Sequence, residues 1–175
     1  MNKLYFIAIY PPSSVIEDIR FFKEDLAKNY NNSKALKNEA HITLFPPFSR
    51  ELAMETDIIT AFQKIDTHIA PFKLTLNGFG CFPNPKNPVL FVQPEENKNL
   101  NLLHSKVKER FSFIKHTFNP HVTVGYRDLT FDNFERAWKN YEHKEYTTTF
   151  LVDHIQLLRH DGKWCTLSSK KLSLD

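Results

Sequence analysis

An approximate internal repeat constrains the fold of this chain more than any other feature of its sequence. In each half, an apolar segment ends at proline, apolar residues at helical spacing follow, and a segment that contains His-x-Thr comes next. The distance from Pro11 to His41 is 30 positions, and the distance from Pro94 to His121 is 27 positions. The repeat therefore predicts two similar lobes packed into one unit.

Hydrophobic periodicity predicts the elements within the repeat. Ser14 and Glu17 have the spacing of a capping box at the start of the first helix. Prolines end the strand that begins at His41, and Asp161-Gly162 is typical of a hairpin turn between the last two strands. The predicted strands are 4–10, 41–45, 72–79, 89–92, 121–124, 147–152, 155–159 and 164–168, and the predicted helices are 15–26, 58–69, 100–111 and 134–141.

The predicted fold class is α+β. We expect two pseudo-symmetric lobes, each an antiparallel sheet with helices packed on its outer face, around a central cleft that carries the two His-x-Thr-x segments. Residues 1–175 are interpreted as a single bilobal domain with approximate halves 1–87 and 88–175, and exchange of strands between the halves stays open.

Composition excludes several classes of protein. With 41% hydrophobic and 14% aromatic residues, the chain can build a sizeable core and is not globally disordered. A net charge of +3 is too small for non-specific binding to nucleic acid or to a membrane surface. The apolar runs are also much shorter than the ~18 residues of a membrane span.

The N-terminal segment and the cysteines predict a cytoplasmic protein. The first apolar segment ends at two prolines without the small-residue cleavage site of a signal peptide. Two cysteines, Cys81 and Cys165, are too few for a disulfide framework or a metal cluster, and we expect them to be reduced thiols.

Two tetrapeptides are the strongest candidates for chemistry: His41-Ile-Thr-Leu44 and His121-Val-Thr-Val124. Side chains on a strand alternate between its faces, so the histidine and the threonine of each tetrapeptide project together. The two apolar residues then point into the core. Two such strands in related lobes would place two imidazole and hydroxyl pairs across one cleft.

These motifs resemble the two-histidine (2H) phosphoesterase superfamily, which includes LigT-like 2'-5' RNA ligase proteins and RNA 2',3'-cyclic phosphodiesterases. The resemblance covers nearly the whole chain, from the opening strand and its prolines at 4–12 to the closing hairpin at 157–164. It implies that His41 and His121 are catalytic and that the hydroxyls of Thr43 and Thr123 bind phosphate.

The implied activity is that of a metal-independent phosphodiesterase acting on 2',3'-cyclic phosphate RNA ends or small cyclic nucleotides, with reversible 2'-5' RNA ligation as an open alternative. Histidine suits general acid and base catalysis because its ordinary pKa is about 6.5. The sequence does not assign the base and the acid. No metal and no cofactor is implied. Expected partners are RNA 3' ends or nucleotides that carry a cyclic phosphate or a 2'-5' linkage, with no membrane partner, and a monomer is expected.

Three residues near the motifs are further candidates for substrate binding: Phe45, Tyr126 and Arg127. Aromatic rings such as those of Phe45, Phe48 and Tyr126 can stack on a nucleobase, although the apolar flanks favour core packing for the phenylalanines. Many members of the family place an arginine one position before Arg127. A shift of one position along a strand reverses the face to which a side chain points.

The sequence offers little support for other classes of enzyme. It has no His-Glu-x-x-His or Cys/His knuckle for a catalytic metal and no Gly-x-Ser-x-Gly elbow for a nucleophile. The alternative that stays open is a non-catalytic nucleotide- or RNA-binding module that uses the same cleft. Such a module has no evident need for a symmetric pair of imidazoles, which favours the enzyme.

Overall fold

The computed structural model describes residues 1–174. Within this range each predicted strand and helix is present, although many of them begin or end a few residues away from the predicted position. The strands are β1 (Asn2–Ile9), β2 (Ile42–Glu51), β3 (Phe72–Phe82), β4 (Val89–Pro94), β5 (Val122–Gly125), β6 (Thr147–Val152), β7 (His154–Asp161) and β8 (Lys163–Lys171). The helices are α1 (Ser13–Tyr30), α2 (Glu55–Gln63), α3 (Lys98–Arg110) and α4 (Phe131–Tyr141), with 3-10 turns at Lys34–Lys37 and Leu52–Met54.

The strands form two antiparallel four-stranded sheets, which confirms the predicted α+β class. The first sheet has the order β2-β1-β7-β8, and the second has the order β5-β4-β3-β6. The sheets do not divide the chain at residue 87, because β3 lies in the second sheet, whereas β7 and β8 return to the first. Strands β2 and β5, which follow the two motif histidines, are both edge strands.

Helices cover one face of each sheet. Helices α2 and α3 contact the first sheet, and α1 and α4 contact the second. Strand β1 illustrates the alternation that separates the two faces. Its Tyr5, Ile7 and Ile9 belong to the main core, whereas Phe6 and Ala8 form a separate small cluster with partners that include Trp164. The second face of the first sheet is therefore separate from the main core.

Each motif strand carries a β-bulge at the same place in the repeat. On β2, Thr43 pairs with Ala8 and Phe45 pairs with Ile7, which leaves Leu44 as the extra residue. On β5, Thr123 and Gly125 pair with consecutive residues of β4 in the same way, which leaves Val124 as the extra residue. A bulge of this kind shifts the alternation, so the residue after it changes face.

The sequence signals for the start of α1 and the end of β2 are wrong. Helix α1 begins at Ser13, with Pro12 as its N-cap and no side-chain cap, so Ser14 lies inside the first turn and forms no capping box. Strand β2 continues through Pro46 and Pro47 to Glu51. An edge strand tolerates these prolines because one side of its backbone has no neighbouring strand to which an N–H group would have to donate.

Helix α2 ends at Gln63, earlier than the apolar spacing predicts. Ile65 and Ile69 are buried in the core from a non-helical connection, so their burial does not require helical backbone. The predicted turn at Asp161-Gly162 is confirmed, since Gly162 has φ 72° and joins the paired strands β7 and β8.

Candidate active site

The two motifs meet at one cleft. Ile42 and Leu44 of the first motif, and Val122 and Val124 of the second, are fully buried on the core side. This burial confirms the predicted apolar anchors and leaves the histidines and threonines to the opposite face. A cavity of about 160 Å³ there is lined by Phe6, Lys23, Ala35, Asn38, Glu39, His41, Thr43, Pro47, Thr123, Tyr126, Arg127 and Trp164.

The cavity therefore contains three of the four motif side chains. His41 and Thr43 come from the first sheet and Thr123 from the second. His121 is not in the lining of the cavity; its ring contacts Phe82 and Phe91. It lies near enough for its charge to lower the pKa of His41.

Both imidazoles are held by the same local hydrogen bond. Nδ1 of His41 lies 2.8 Å from the carbonyl oxygen of Glu39, and Nδ1 of His121 lies 2.7 Å from that of Asn119. A carbonyl oxygen can only accept, so each Nδ1 carries the proton and donates it. In the neutral ring Nε2 is consequently free to accept a proton, which is the atom that general base catalysis requires.

Aromatic rings surround both histidines. The ring of His41 lies 5.1 Å from Phe6 and 5.6 Å from Tyr10, measured between centroids. The ring of His121 lies 5.2 Å from both Phe82 and Phe91. These contacts fix the planes of the two imidazoles and reduce the access of water to them.

Burial lowers the pKa of His41 to about 4, and the nearby charges of Lys23 and His121 contribute in the same direction. The hydrogen bond to the carbonyl of Glu39 opposes this shift only in part. In the unliganded protein, His41 is therefore a neutral imidazole at pH 7.

A buried amide fixes the loop that follows β5. The side chain of Asn32, which is 0% exposed, donates to the carbonyl oxygen of Tyr126 at 2.7 Å and accepts from its backbone N–H at 3.3 Å. The hydroxyl of Tyr126 also accepts a hydrogen bond from Asn38 at 2.6 Å. The loop after the second motif is thus tied to the segment that precedes the first motif.

Asp128 strengthens the same connection. Its carboxylate accepts from the backbone N–H of Ser33 at 3.2 Å and from that of Lys34 at 3.1 Å. Asn32 donates a further hydrogen bond to it. These contacts satisfy the free N–H groups at the start of the 3-10 turn Lys34–Lys37.

Arg127 lines the cavity although it stands one position later than the arginine of many relatives. The expected reversal of face does not apply, because β5 ends at Gly125 and Arg127 has the left-handed φ of 61°. Its guanidinium carbon lies 5.0 Å from the centroid of the Tyr126 ring. Two of the three additional candidates, Tyr126 and Arg127, are therefore in the cleft.

Phe45 is not in the cleft, and the prediction that it stacks on a nucleobase is wrong. On a regular strand it would share the face of His41 and Thr43, but the bulge at Leu44 turns it into the core. It is 0% exposed and packs against Phe48, which is also buried. Core packing, the other explanation for both phenylalanines, is confirmed.

Lys23 and Trp164 are among the cleft residues that sequence reasoning did not identify as part of the site. Lys23 of α1 is only 4% exposed, and Trp164 of β8 packs on Phe6 with their ring centroids 4.4 Å apart. Lys23 had a detectable signal, because it follows Ile19 by four positions and therefore lies on the buried face of the helix. The position of Trp164 could not be found from local sequence, since it depends on the pairing of β7 with β1.

Arg159, another basic residue near the C-terminus, is engaged elsewhere. Its guanidinium lies 2.7 Å from a carboxylate oxygen of Glu55 and 2.5 Å from one of Asp161. Over residues 1–174, no group of three or more His, Cys, Asp or Glu side chains is placed to hold a metal ion. No helix in the same range has the length and apolar character needed to cross a membrane.

The family of the chain follows from a comparison with family models. The model described as the 2'-5' RNA ligase superfamily matches residues 10–164, a range that includes both motifs. The chain therefore belongs to the 2'-5' RNA ligase superfamily.

Individual relatives agree with this assignment. An RNA 2',3'-cyclic phosphodiesterase of Archaeoglobus fulgidus is 29% identical over 126 residues, which cover 69% of this chain and 70% of the relative. Escherichia coli LigT in complex with 3'-AMP superposes with a TM-score of 0.73 at 18% identity, over 98% of this chain and 99% of LigT. A Thermus thermophilus protein has a TM-score of 0.65 at 19% identity, with 97% of each chain covered. The two structural likenesses confirm the fold.

Proposed function

We propose that this protein is a metal-independent phosphodiesterase that opens 2',3'-cyclic phosphates at RNA ends or on small nucleotides by two-histidine acid and base catalysis. The observation that carries the proposal is the pair of imidazoles of His41 and His121, each with Nδ1 held by a carbonyl and Nε2 left free. The phosphodiesterase relative in Archaeoglobus fulgidus supports the reaction class, and the 3'-AMP complex of LigT supports a nucleotide ligand.

The reaction needs one neutral and one protonated imidazole. The neutral Nε2 takes a proton from water as the water oxygen forms a bond to phosphorus, and the P–O3' bond breaks. The protonated imidazole gives its proton to the departing O3', which leaves a 2'-phosphate. A 5'-hydroxyl of another RNA in place of water would give a 2'-5' linkage, which relates hydrolysis to ligation.

Other cleft residues have roles suited to the phosphate. The hydroxyls of Thr43 and Thr123, one from each sheet, can donate hydrogen bonds to the non-bridging oxygens on which charge develops. Arg127 adds a permanent positive charge on the same cavity. Its guanidinium contacts one face of the Tyr126 ring, and the other face of that ring is the one proposed for a nucleobase.

A neighbouring cavity supports a substrate longer than one nucleotide. Its volume is about 220 Å³, and it shares Asn38, Glu39 and Trp164 with the catalytic cavity. Lys37 and Lys163, both exposed, line the remainder with Tyr10. The two lysines suit the phosphate of the preceding nucleotide in an RNA strand, and the rings of Tyr10 and Trp164 suit its base. Glu39 is the single carboxylate among the described residues in the lining of this cavity.

The decisive experiment is turnover of a 2',3'-cyclic nucleotide, and of an RNA ending in a cyclic phosphate, in the presence of EDTA. We expect opening to the 2'-phosphate by the wild type and a loss of about 100-fold or more in kcat for His41→Ala and for His121→Ala. His143→Ala is the matched control, because the side chain of His143 is 84% exposed.

Two results would contradict this proposal. Activity that EDTA removes and a divalent ion restores would contradict the metal-independent mechanism. Binding of a cyclic nucleotide without turnover by the folded wild type would instead favour the non-catalytic binding module. The monomeric state and the cytoplasmic location stay predictions, which sedimentation and cell fractionation can test.

A further inference from the structure

Lys23 is a buried cation in the wall of the catalytic cavity. It lies on α1, is 4% exposed, and lines the cavity together with His41 and the two motif threonines. Its Nζ donates a hydrogen bond of 2.6 Å to the backbone carbonyl oxygen of Asn38. This carbonyl is a neutral acceptor, so the hydrogen bond leaves the positive charge without a balancing negative charge.

Among residues 1–174, no carboxylate forms an ion pair with Lys23, since no acidic oxygen lies within 4.0 Å of its Nζ. Lysine is rarely so buried unless it is paired, because removing an ammonium group from water is costly. A buried ammonium group that lines a cavity without a carboxylate at ion-pair distance therefore indicates a place for an anion.

Helix α3 has no buried lysine that corresponds to Lys23 of α1. Helix α3, which precedes the second motif as α1 precedes the first, has His104 as its buried polar residue. His104 contacts His116 through their Nε2 atoms at 3.1 Å and stacks on Phe118. It does not line the catalytic cavity. The positive charge beside His41 consequently has no equivalent on α3.

We propose that Lys23 is an anion-binding residue of the cleft, whose ammonium group holds a non-bridging oxygen of the substrate phosphate and of the product phosphomonoester. This proposal rests on the proposed function for the identity of the phosphate ligand. Phosphate bound at this position would supply the missing negative charge and would keep Lys23 hydrogen-bonded to the carbonyl of Asn38. The role is one of binding and is separate from the proton transfers of the two histidines.

The charged groups around Lys23 define how this subsite responds to pH. Arg20 lies one turn earlier on the same helix, Glu39 and His41 lie on the facing segment, and Arg127 lies across the cavity. Burial lowers the pKa of Lys23 to about 8, Arg20 contributes in the same direction, and Glu39 opposes the shift. The ammonium form therefore predominates below about pH 8 and is lost as the pH rises through that value.

The test measures binding of a nucleoside 2'-monophosphate and of inorganic phosphate by calorimetry, and turnover of a 2',3'-cyclic nucleotide. Lys23→Gln keeps a donor for the carbonyl of Asn38 and removes the charge. We expect it to raise Kd and KM about tenfold or more, with a smaller change in kcat. Lys28→Gln is the control, since it removes an exposed lysine from the same helix.

A second variant tests the charge itself. Arginine stays protonated at every pH in the range, so Lys23→Arg should retain phosphate affinity. It should also move the loss of affinity that we expect in the wild type near pH 8 to higher pH. Both the wild type and Lys23→Arg carry a positive charge at this position at neutral pH, so the comparison does not need a variant that lacks the charge.

The outcomes separate this proposal from the proposed function. Phosphate affinity of Lys23→Gln within twofold of Lys28→Gln, or an unchanged pH profile in Lys23→Arg, would show that Lys23 is structural and would overturn the subsite. A wild type without turnover whose phosphate affinity depends on Lys23 would overturn the proposed function and leave the subsite in place.

Discussion

The two motif threonines, Thr43 and Thr123, test whether the cleft stabilises charge on phosphate. Thr43→Val and Thr123→Val remove a hydroxyl and keep the branched shape that a strand prefers. We expect each to lower kcat/KM about 10- to 100-fold, because a donor to the non-bridging oxygens is lost. The measurement is steady-state turnover of a cyclic nucleotide, with thermal unfolding recorded in parallel.

Thr60→Val is the control for these variants, because Thr60 is exposed on α2 outside the cleft. Kinetics equal to those of this control in both motif variants would remove the threonines from the mechanism. A fall in melting temperature with unchanged kinetics would assign them a purely structural role.

At the scale of elements, the loop after β5 depends on one side chain of the segment after α1. Asn32 is fully buried and bonds both backbone groups of Tyr126. Asn32→Ala leaves those groups without partners. We therefore expect the free energy of unfolding to fall by about 1–3 kcal/mol and kcat/KM to fall because Tyr126 and Arg127 lose their fixed position. Denaturant unfolding and steady-state kinetics measure the two effects.

Asn101→Ala is the matched substitution, since Asn101 is exposed on α3. If Asn32→Ala changed stability and kcat/KM no more than this control, the loop would not depend on the buried amide.

The same elements show what the sequence could predict. Strand β1, the hairpin of β7 and β8 and the apolar stripes of the helices follow from short-range periodicity, since each pattern reflects the burial of one face. The alignment of His41 with Thr43, and of His121 with Thr123, follows from strand alternation alone. These features were predictable because each depends on residues that are near one another in the chain.

Other features of the site depend on long-range pairing. The bulge at Leu44 exists only in the register of β2 against β1, and it is the reason that Phe45 is in the core. The left-handed backbone of Arg127 lies next to Tyr126, which Asn32 holds from 94 positions away. Lys23 is the exception, because its position on the apolar stripe of α1 could have been recognised from helical spacing.

At the scale of the whole molecule, the cavity beside the catalytic cavity predicts a preference for longer substrates. We expect the double variant Lys37→Gln/Lys163→Gln to lower kcat/KM about tenfold for an RNA oligonucleotide that ends in a cyclic phosphate. Turnover of a mononucleoside 2',3'-cyclic phosphate should change little. The loss on the oligonucleotide should also shrink as salt is added, because the two lysines act through charge.

Lys86→Gln/Lys98→Gln is the corresponding control, since it removes two exposed lysines that do not line this cavity. Equal losses on the oligonucleotide in both double variants would assign the effect to net charge. Equal losses on both substrates would place Lys37 and Lys163 in the catalytic cavity itself.

The path of the chain between the sheets has a consequence for how this protein can be divided. A cut near residue 87 would give one fragment with β1, β2 and β3 and another with the remaining five strands, so both sheets would need strands from both fragments. Neither fragment alone contains a complete lobe. The two pieces would have to recognise each other to rebuild either sheet, which makes the pair suited to a split reporter, in which recovered phosphodiesterase activity signals that the fragments have met.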